Sequence, residues 1–221
     1  MIRRTLSSLL LLASLTCAQG VHPITGRQYA GTMSANGASW LTRPERETEE
    51  EPDKALAAIG IVKGATVADI GAGSGYMTWR MAELVGPAGK VYANDIQQKM
   101  LDLLKKNVEQ RKLTNVETVL GAVDDPKLPD AAFDLVLLVD VYHEFSEPQK
   151  MVRHIRSSLK PDGRLVLLEY RGEDPSVPIR PEHKMTVAQV KAEIEPEGYR
   201  MDKVLETLPR QHILIFVKNG K

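Results

Sequence analysis

The sequence predicts an α/β fold in which helices cover both faces of a doubly wound, mainly parallel sheet that ends in an antiparallel hairpin. Runs of β-branched and other apolar residues alternate with stretches of helical periodicity, which is the pattern of βα units. The run Phe133–Val139 is apolar on both faces and is typical of a central parallel strand. The last two runs, 201–208 and 212–218, are joined by a short turn and predict the hairpin at the sheet edge.

Length and composition fit one such domain. The chain has 221 residues, which is long enough to bury a sizeable core without a second domain. Its 29 basic and 29 acidic residues give a formal net charge of zero. This balance does not support binding to nucleic acids or to anionic membranes, so neither is predicted as a partner.

Residues 1–20 have the pattern of a secretory signal peptide. Arg3 and Arg4 precede the apolar run Leu6–Leu15, and small residues follow it. The run is shorter than the roughly 20 apolar residues that span a bilayer, so no membrane span is expected in the mature chain. We expect export to the periplasm with cleavage near Ala18 or Gly20. A retained N-terminal helix in a cytoplasmic enzyme is the alternative.

Cys17 gives a third interpretation of this segment, as a lipoprotein signal. Bacterial lipoprotein signals usually carry leucine three residues before the cysteine, where this chain has Ser14, so we rank that interpretation last. Cys17 is also the only cysteine of the sequence. A mature chain that lacked it could form no disulfide.

Residues 21–52 form an N-terminal arm ahead of the main domain, residues 53–221. The arm begins as an irregular stretch rich in small residues and continues in an acid-rich segment, 43–51, in which Pro44 suits a first helical turn. The simplest interpretation of this segment is a solvated helix face. A short amphipathic helix, Asp53–Ile59, then opens the main domain.

A glycine motif lies at the centre of the sequence. A short buried-strand run begins at Val67 and leads into Asp69-x-Gly71-x-Gly73-x-Gly75. Glycine has no Cβ, so the backbone can turn sharply here and a ligand can lie against it. The motif therefore predicts a ligand-binding bend between a strand and a helix.

The elements after the bend complete a βαβ unit. A helix from Gly75 to Gly86 carries an apolar face, which consists of Met77, Met81 and Leu84. Val91–Ala93 forms the second strand, and Asp95 follows it about 20 residues beyond the last glycine. An acid at that place can accept hydrogen bonds from both ribose hydroxyls of a nucleoside.

The glycine spacing decides between cofactor classes. Dinucleotide-binding folds use G-x-G-x-x-G, whereas this chain has Tyr76 where their third glycine would stand. Asp69, two residues before the first glycine, suits a cationic ammonium group and would repel a phosphate. A nucleotide-dependent oxidoreductase is therefore disfavoured, although it stays an alternative.

On these residues the sequence resembles the class I S-adenosylmethionine-dependent methyltransferases, whose first motif is acid-x-Gly-x-Gly-x-Gly. The likeness covers roughly 54–218 and is strongest to the small-molecule branch typified by ubiquinone/menaquinone biosynthesis. It implies a Rossmann-like, seven-stranded sheet, S-adenosylmethionine as the cofactor and methyl transfer to a small-molecule acceptor. It also implies that the N-terminal arm covers the cofactor cleft as a lid.

The resemblance also implies cofactor-binding residues. Asp69 would hold the methionine amino group, Asp95 the ribose and Asp124 the adenine amino group. The usual adenine acid directly follows a glycine, where this chain has Ala122, so a turn-forming role for Asp124 is an equal alternative. The full predicted set is Asp69, Gly71, Ala72, Gly73, Gly75, Asp95, Ile96, Asp124 and Asp140.

Candidate catalytic residues follow the fourth strand, at the sheet edge where open parallel sheets bind ligands. His143 is a candidate general base because its side chain titrates nearest neutral pH, and Glu144 or Asp140 would orient it. We expect Tyr142, His143 and Glu144 to face the acceptor. Alternatively, Tyr142 and His143 only cap the cleft floor and help to hold the methionine end of the cofactor. His143, Glu144 and His183 share no short ligand spacing, so no metal site is predicted.

The remaining elements follow the same alternation. The predicted helices are 97–111 and 147–160, with a last helix opened by a capping box at Thr186 and Gln189. Further strands are predicted at 116–120 and 164–170, the latter after a turn at 161–163. The loop after this strand carries basic residues that could bind an anionic acceptor or could simply be solvated, namely Arg171, Arg180 and His183.

One further alternative concerns function. An exported chain would meet little of a cytosolic cofactor, so a nucleoside-binding module without catalysis is a competing hypothesis. No spacing in the sequence indicates the acceptor atom or the oligomeric state.

Overall fold

The computed structural model describes residues 20–220, so nearly all of the predicted signal peptide lies outside the described residues. The helices are α1 (Arg46–Glu50), α2 (Pro52–Ile59), α3 (Thr78–Val85), α4 (Gln98–Gln110), α5 (Pro148–Ser158) and α6 (Val187–Ile194). The strands are β1 (Thr66–Ile70), β2 (Lys90–Asp95), β3 (Val116–Leu120), β4 (Phe133–Val139), β5 (Leu159–Arg171), β6 (Lys184–Met185), β7 (Tyr199–Leu205) and β8 (Gln211–Lys218). Over residues 20–220, none of these helices combines the length and the apolar character that crossing a bilayer requires.

The strands form one sheet in the order β3-β2-β1-β4-β5-β8-β7. β1 to β5 pair in parallel, while β8 runs antiparallel to both β5 and β7. The predicted fold class, including the C-terminal hairpin, is confirmed. An eighth strand, β6, pairs in parallel with the end of β5. It was not predicted because two residues are too few to show a periodicity.

Helices pack on both faces of the sheet because inward-facing residues alternate along the central strand β4. Val136 and Leu138 lie in a cluster with α5 and α6, whereas Leu135 and Leu137 lie in a cluster with α2 and α3. All four side chains are almost fully buried. Helix α4 packs separately, placing Leu104 and Val108 against Ala72 and Ala93. This arrangement explains the two-sided apolar character of β4.

Strand β5 begins earlier than predicted. Leu159 pairs with Phe133, and the next pair is Arg164 with Leu135, so extra residues of β5 bulge between these two positions. The turn residues 161–163 form this irregularity, and regular pairing resumes at Arg164. The predicted turn at 161–163 therefore lies inside β5, as an irregularity of the strand, rather than ahead of it.

The sheet reverses its winding direction between β1 and β4. From β1 the chain moves outward to β2 and β3, and it then returns to β4 on the other side of β1. Ligands of open α/β sheets bind in the crevice at such a switch point, beyond the carboxyl ends of the strands. This topology places the glycine bend and residues 140–145 on the same edge.

Candidate functional site

A cleft of about 620 Å³ opens at the switch point. Its walls come from the ends of β1, β2 and β4, from the N-terminal arm and from the loop before β6. This volume lies in the range that encloses a small organic ligand. The cleft therefore suits a nucleoside-sized cofactor together with part of an acceptor.

Asp95 and the glycine bend meet in this cleft. The Gly73 backbone N–H donates to Asp95 Oδ2 at 2.9 Å, and the Gln97 N–H donates to Oδ1 at 2.8 Å. Burial raises the pKa of Asp95, and these N–H groups offset part of that rise. A carboxylate held in this way keeps lone pairs for the hydroxyls of a ribose.

Asp69 lies at the end of β1 and also lines the cleft, although its residue surface is only 2% exposed. The Thr78 hydroxyl donates to Asp69 Oδ2 at 2.6 Å. Burial raises the pKa of Asp69 to about 7, despite this hydrogen bond. A cationic ligand would favour the ionised form, which matches the predicted contact with an ammonium group.

The predicted glycines have two different roles. Gly71, Ala72 and Gly73 line the cleft. Gly75 does not; it has φ +91°, and a Cβ there would lie 2.9 Å from Leu104 Cγ of α4. Gly75 therefore allows α4 to pack closely against the bend.

Two apolar side chains form an exposed wall of the cleft. Ile96 and Val123 both line it and are 40% and 52% exposed. A flat base such as adenine would cover them from water.

Asp124, predicted to bind the base, is not among the lining residues; its carboxylate lies 3.9 Å from Lys150 Nζ. The sequence pattern missed Val123 because a single valine in a turn carries no motif.

The N-terminal arm packs over the cleft. Its lining residues include Met33, Trp40, Leu41 and Arg46. The Gln97 side chain anchors the arm, since Nε2 donates to the Met33 carbonyl at 2.8 Å and Oε1 accepts from the backbone N–H of Ala35 at 3.1 Å. This placement supports the lid interpretation of the arm.

The solvated-face interpretation fails for two residues of the arm. Arg46 and Glu50 are both buried, and Arg46 Nε donates to Glu50 Oε2 at 2.7 Å. Arg46 also lies 3.7 Å from Asp140 Oδ2, and the Tyr170 hydroxyl donates to Glu50 at 2.8 Å. The sequence of the acid-rich segment did not indicate this buried cluster, because Asp140 and Tyr170 come from distant parts of the chain.

Asp140 lines the cleft, as expected of a cofactor-binding residue, and has an unusual backbone. Its φ of +50° is in the left-handed region, which residues other than glycine rarely adopt. Gln211 Nε2 donates to both carboxylate oxygens at 2.9 and 2.8 Å. Burial and the nearby charge of Glu50 raise the pKa of Asp140 well above its usual range, although Arg46 counteracts them.

His143 also lines the cleft, within a chain of polar side chains. Its Nδ1 is 2.6 Å from Glu169 Oε2, and its Nε2 is 3.0 Å from His183 Nδ1. Burial disfavours the charged ring, but the charge and hydrogen bond of Glu169 outweigh burial and raise the pKa of His143. Burial and the charge of His143 lower the pKa of His183. The orienting carboxylate is thus Glu169, not the predicted Glu144 or Asp140.

Of the three residues predicted to face the acceptor, two line the cleft. They are His143 and Glu144, and burial raises the pKa of Glu144 to about 7. Tyr142 does not line the cleft; its side chain is buried in the core and its ring packs edge-on against Phe145. The structure therefore brings His143 and Glu144 to the cleft and leaves Tyr142 in the core.

Of the three basic residues of the β5–β6 loop, only two line the cleft. Arg180 and His183 line the cleft. The Arg171 guanidinium instead donates to the carbonyls of Leu208 and Gln211, each at 2.9 Å, and so supports the C-terminal hairpin.

His143, Glu144 and His183 also form a cluster that their spacing did not indicate. One ligand atom from each residue lies within 4.8 Å of the other two. The short 3₁₀ turn Pro181–His183 brings His183 beside the turn Tyr142–Glu144. His183 is far from His143 in sequence, and it comes close in space only because the β5–β6 loop folds back over the cleft.

Comparisons with known proteins identify the relatives of this fold. The model of a family described as "Methyltransferase domain" matches residues 61–208. The ubiquinone/menaquinone biosynthesis C-methyltransferase of Pseudoalteromonas translucida is 30% identical over 131 residues, which are 59% of this chain and 49% of that protein. Its counterpart from Escherichia fergusonii is 32% identical over 112 residues, 50% of this chain and 45% of that protein. The chain thus spans about half the length of these relatives.

Comparison with solved structures also finds methyltransferases. A SAM-dependent methyltransferase from Aquifex aeolicus superposes with a TM-score of 0.79 at 28% identity, covering 84% of this chain and 98% of that one. A putative type 11 methyltransferase from Sulfolobus solfataricus gives a TM-score of 0.64 at 21% identity, covering 78% and 95%. The second likeness shows the fold alone.

Proposed function

This chain belongs to the methyltransferase domain family, and we propose that it transfers a methyl group from S-adenosylmethionine to a small-molecule acceptor. The family expected from the glycine motif is thereby confirmed. The observation that carries the activity is the contact of Asp95 with the Gly73 backbone N–H at 2.9 Å. It places the predicted ribose-binding carboxylate at the glycine bend, inside one cleft.

The residues of the cleft fit the cofactor. Asp95 would hold the ribose hydroxyls, Asp69 the methionine amino group, and Ile96 with Val123 the faces of the adenine. When bound, S-adenosylmethionine supplies an electrophilic methyl group on a sulfonium sulfur. The carboxylates of the cleft favour this positive charge.

The protein's contribution to the transfer is positioning. Displacement at a methyl carbon depends on alignment of donor and acceptor, which a rigid cleft supplies by holding both reactants. The arm covers the cleft and would exclude water from the reacting groups. His143 and Glu144 also line this cleft and would contact an acceptor bound in it.

The experiment is a titration of purified protein with S-adenosylmethionine, followed by a search for S-adenosylhomocysteine in the presence of acceptors. The names of the relatives suggest that intermediates of ubiquinone and menaquinone biosynthesis belong in the acceptor panel. Turnover with a small molecule supports the proposal. Binding without turnover across the panel favours a binding module, and preferential binding of NAD would favour an oxidoreductase.

We also propose that the chain is exported to the periplasm. The support is the order of charged, apolar and small residues in segment 1–20. N-terminal sequencing of protein from fractionated cells tests it. A periplasmic product that begins near Gln19 or Val21 supports export, whereas a cytoplasmic product that retains residues 1–20 contradicts it.

A further inference from the structure

A cluster of potential nitrogen and oxygen ligands lies in the wall of the cleft. His143 Nε2 and His183 Nδ1 are 3.0 Å apart, and a carboxylate oxygen of Glu144 completes a set within 4.8 Å. All three residues line the same cleft as Asp95 and Gly73. The cluster therefore borders the cleft, with His143 itself almost fully buried.

A second carboxylate fixes the orientation of the first histidine. Glu169 Oε2 is 2.6 Å from His143 Nδ1, and Glu169 Oε1 accepts from the Tyr142 backbone N–H at 3.0 Å. Glu169 is fully buried on β5, so the sheet holds it in place. A carboxylate on the far nitrogen of an imidazole is the usual outer partner of a metal-ligating histidine. It directs Nε2 of His143 into the cluster.

The second histidine is also held by backbone structure. Its backbone N–H donates to the Arg180 carbonyl at 3.0 Å, which closes the 3₁₀ turn Pro181–His183. The next two residues form β6, which pairs with the end of β5. The loop that carries His183 is thus attached to the strand that carries Glu169.

The ligand set identifies a class of ion. Two imidazoles and one carboxylate, with a further position open, are the ligands of mononuclear zinc sites. Two nitrogens bound at about 2.0–2.1 Å to one tetrahedral ion lie about 3.3 Å apart. The observed 3.0 Å separation of the two nitrogens is a few tenths of an ångström shorter. The set that includes Glu144 spans up to 4.8 Å, so the carboxylate would move toward the imidazoles on binding.

We propose that His143, His183 and Glu144 bind a divalent transition metal of the zinc class, with Glu169 as the positioning residue of His143. An open position on such an ion would take an anionic oxygen or sulfur of an acceptor bound in the cleft. This second part depends on the proposed methyltransferase function, whereas metal binding does not. The competing explanation is a direct hydrogen bond between the two imidazoles with no ion.

The test uses tag-free full-length protein stripped with a chelator. Zn²⁺ is titrated calorimetrically, and Co²⁺ is titrated while visible absorption reports a tetrahedral site. We expect one ion per chain and an intense Co²⁺ band. We expect H183A and E144Q, which remove a ligand, to weaken Zn²⁺ binding more than E169Q, which should weaken it about ten- to a hundredfold because it perturbs only the outer partner.

His154 offers a matched control. It is an exposed histidine of α5 whose nearest acid is Asp125, at 3.9 Å, and H154A should leave Zn²⁺ binding unchanged. Absence of stoichiometric binding to the wild-type chain would overturn the metal site, whatever the variants do. Binding that is equally tight in H183A would also overturn it.

A parallel titration with S-adenosylmethionine separates the two proposals. Cofactor binding and turnover in a chain that takes up no zinc would leave the methyltransferase proposal intact and reject the metal site. Zinc binding in a chain that does not bind S-adenosylmethionine would do the reverse. Loss of turnover on chelation, with recovery on adding Zn²⁺, would place the ion at the acceptor.

Discussion

The Asp95 carboxylate accepts a hydrogen bond from the Gly73 backbone N–H at 2.9 Å, across 22 residues of sequence. This contact joins the end of β2 to the bend after β1 and makes one binding surface of two strand ends. An acid at this place is useful to a nucleoside only if it meets the bend, which is the arrangement found. The first prediction follows from this contact.

Replacing Asp95 by asparagine should weaken S-adenosylmethionine binding about tenfold to a hundredfold. The substitution keeps the size of the side chain but removes the charge, and hydrogen bonds to charged groups contribute about 1.5–3 kcal/mol each. Calorimetric titration measures the change. D102N, at an exposed acid of α4, is the matched control and should bind the cofactor as the wild type does. Equal affinities of D95N and D102N would remove Asp95 from the binding site.

Cofactor affinity should depend on pH through Asp69. Because the pKa of this buried carboxyl is raised to about 7, the free protein carries it mainly neutral below that pH. The ionised form attracts a cationic ligand, so affinity should rise between about pH 5.5 and 7.5. D69N should bind more weakly and with a much flatter pH profile. An unchanged profile in D69N would assign the titration to another group.

The same residue makes a prediction about folding stability. In the unfolded chain Asp69 titrates near 3.8, and in the folded protein near 7, so folding costs free energy progressively as pH rises between these values. Relative to the wild type, D69N should therefore gain most stability near pH 8. The gain should shrink as pH falls and vanish below about pH 3, where Asp69 is neutral in both the folded and the unfolded chain. Urea unfolding at several pH values measures it, and a pH-independent difference would contradict the raised pKa.

Replacing Arg46 by methionine should destabilise the protein strongly. Arg46 pairs with buried Glu50 at 2.7 Å and lies 3.7 Å from Asp140, so its removal leaves two carboxylates poorly compensated. Breaking a buried pair in this way costs about 3–5 kcal/mol. Urea unfolding measures the loss.

The control for Arg46 is an exposed ion pair, Lys90 with Glu117, whose side chains are about half exposed. K90M should change stability by well under about 1 kcal/mol, since exposed pairs contribute little. The double variant R46M/E50Q should recover part of the loss. If R46M were no worse than K90M, the buried cluster would have no role in stability.

Glycine at position 75 should be required for packing rather than for ligand contact. Gly75 and Gly64 both have positive φ, +91° and +81°, but only at Gly75 would a Cβ meet a neighbour, Leu104 Cγ at 2.9 Å. G64A should cost about 1–2 kcal/mol for its backbone conformation alone. G75A should cost about 1–3 kcal/mol more, because the added methyl overpacks the contact with α4. Equal losses in chemical unfolding would show that Leu104 adjusts without cost.

Local sequence was sufficient for several strands and for the start of the last helix. Strands 116–120 and 133–139 have the bounds that their apolar patterns predicted, and the capping box of Thr186 with Gln189 is present. Each of these depends on neighbours a few residues apart, so periodicity and turn chemistry report it directly. The number of residues between the last glycine of the motif and Asp95 also predicts where Asp95 lies, because one βα unit has a nearly constant length.

Chain topology alone decided which polar side chains share the rest of the cleft. Glu169 reaches His143, Arg46 reaches Asp140, and His183 reaches His143 only because strand order and the β5–β6 loop bring them together. No local pattern records such contacts, since a residue's helical or strand periodicity is the same whichever element packs against it. The sequence could thus indicate a nucleoside-binding edge of the sheet. The contacts around His143 and Asp140 could be known only from the folded chain.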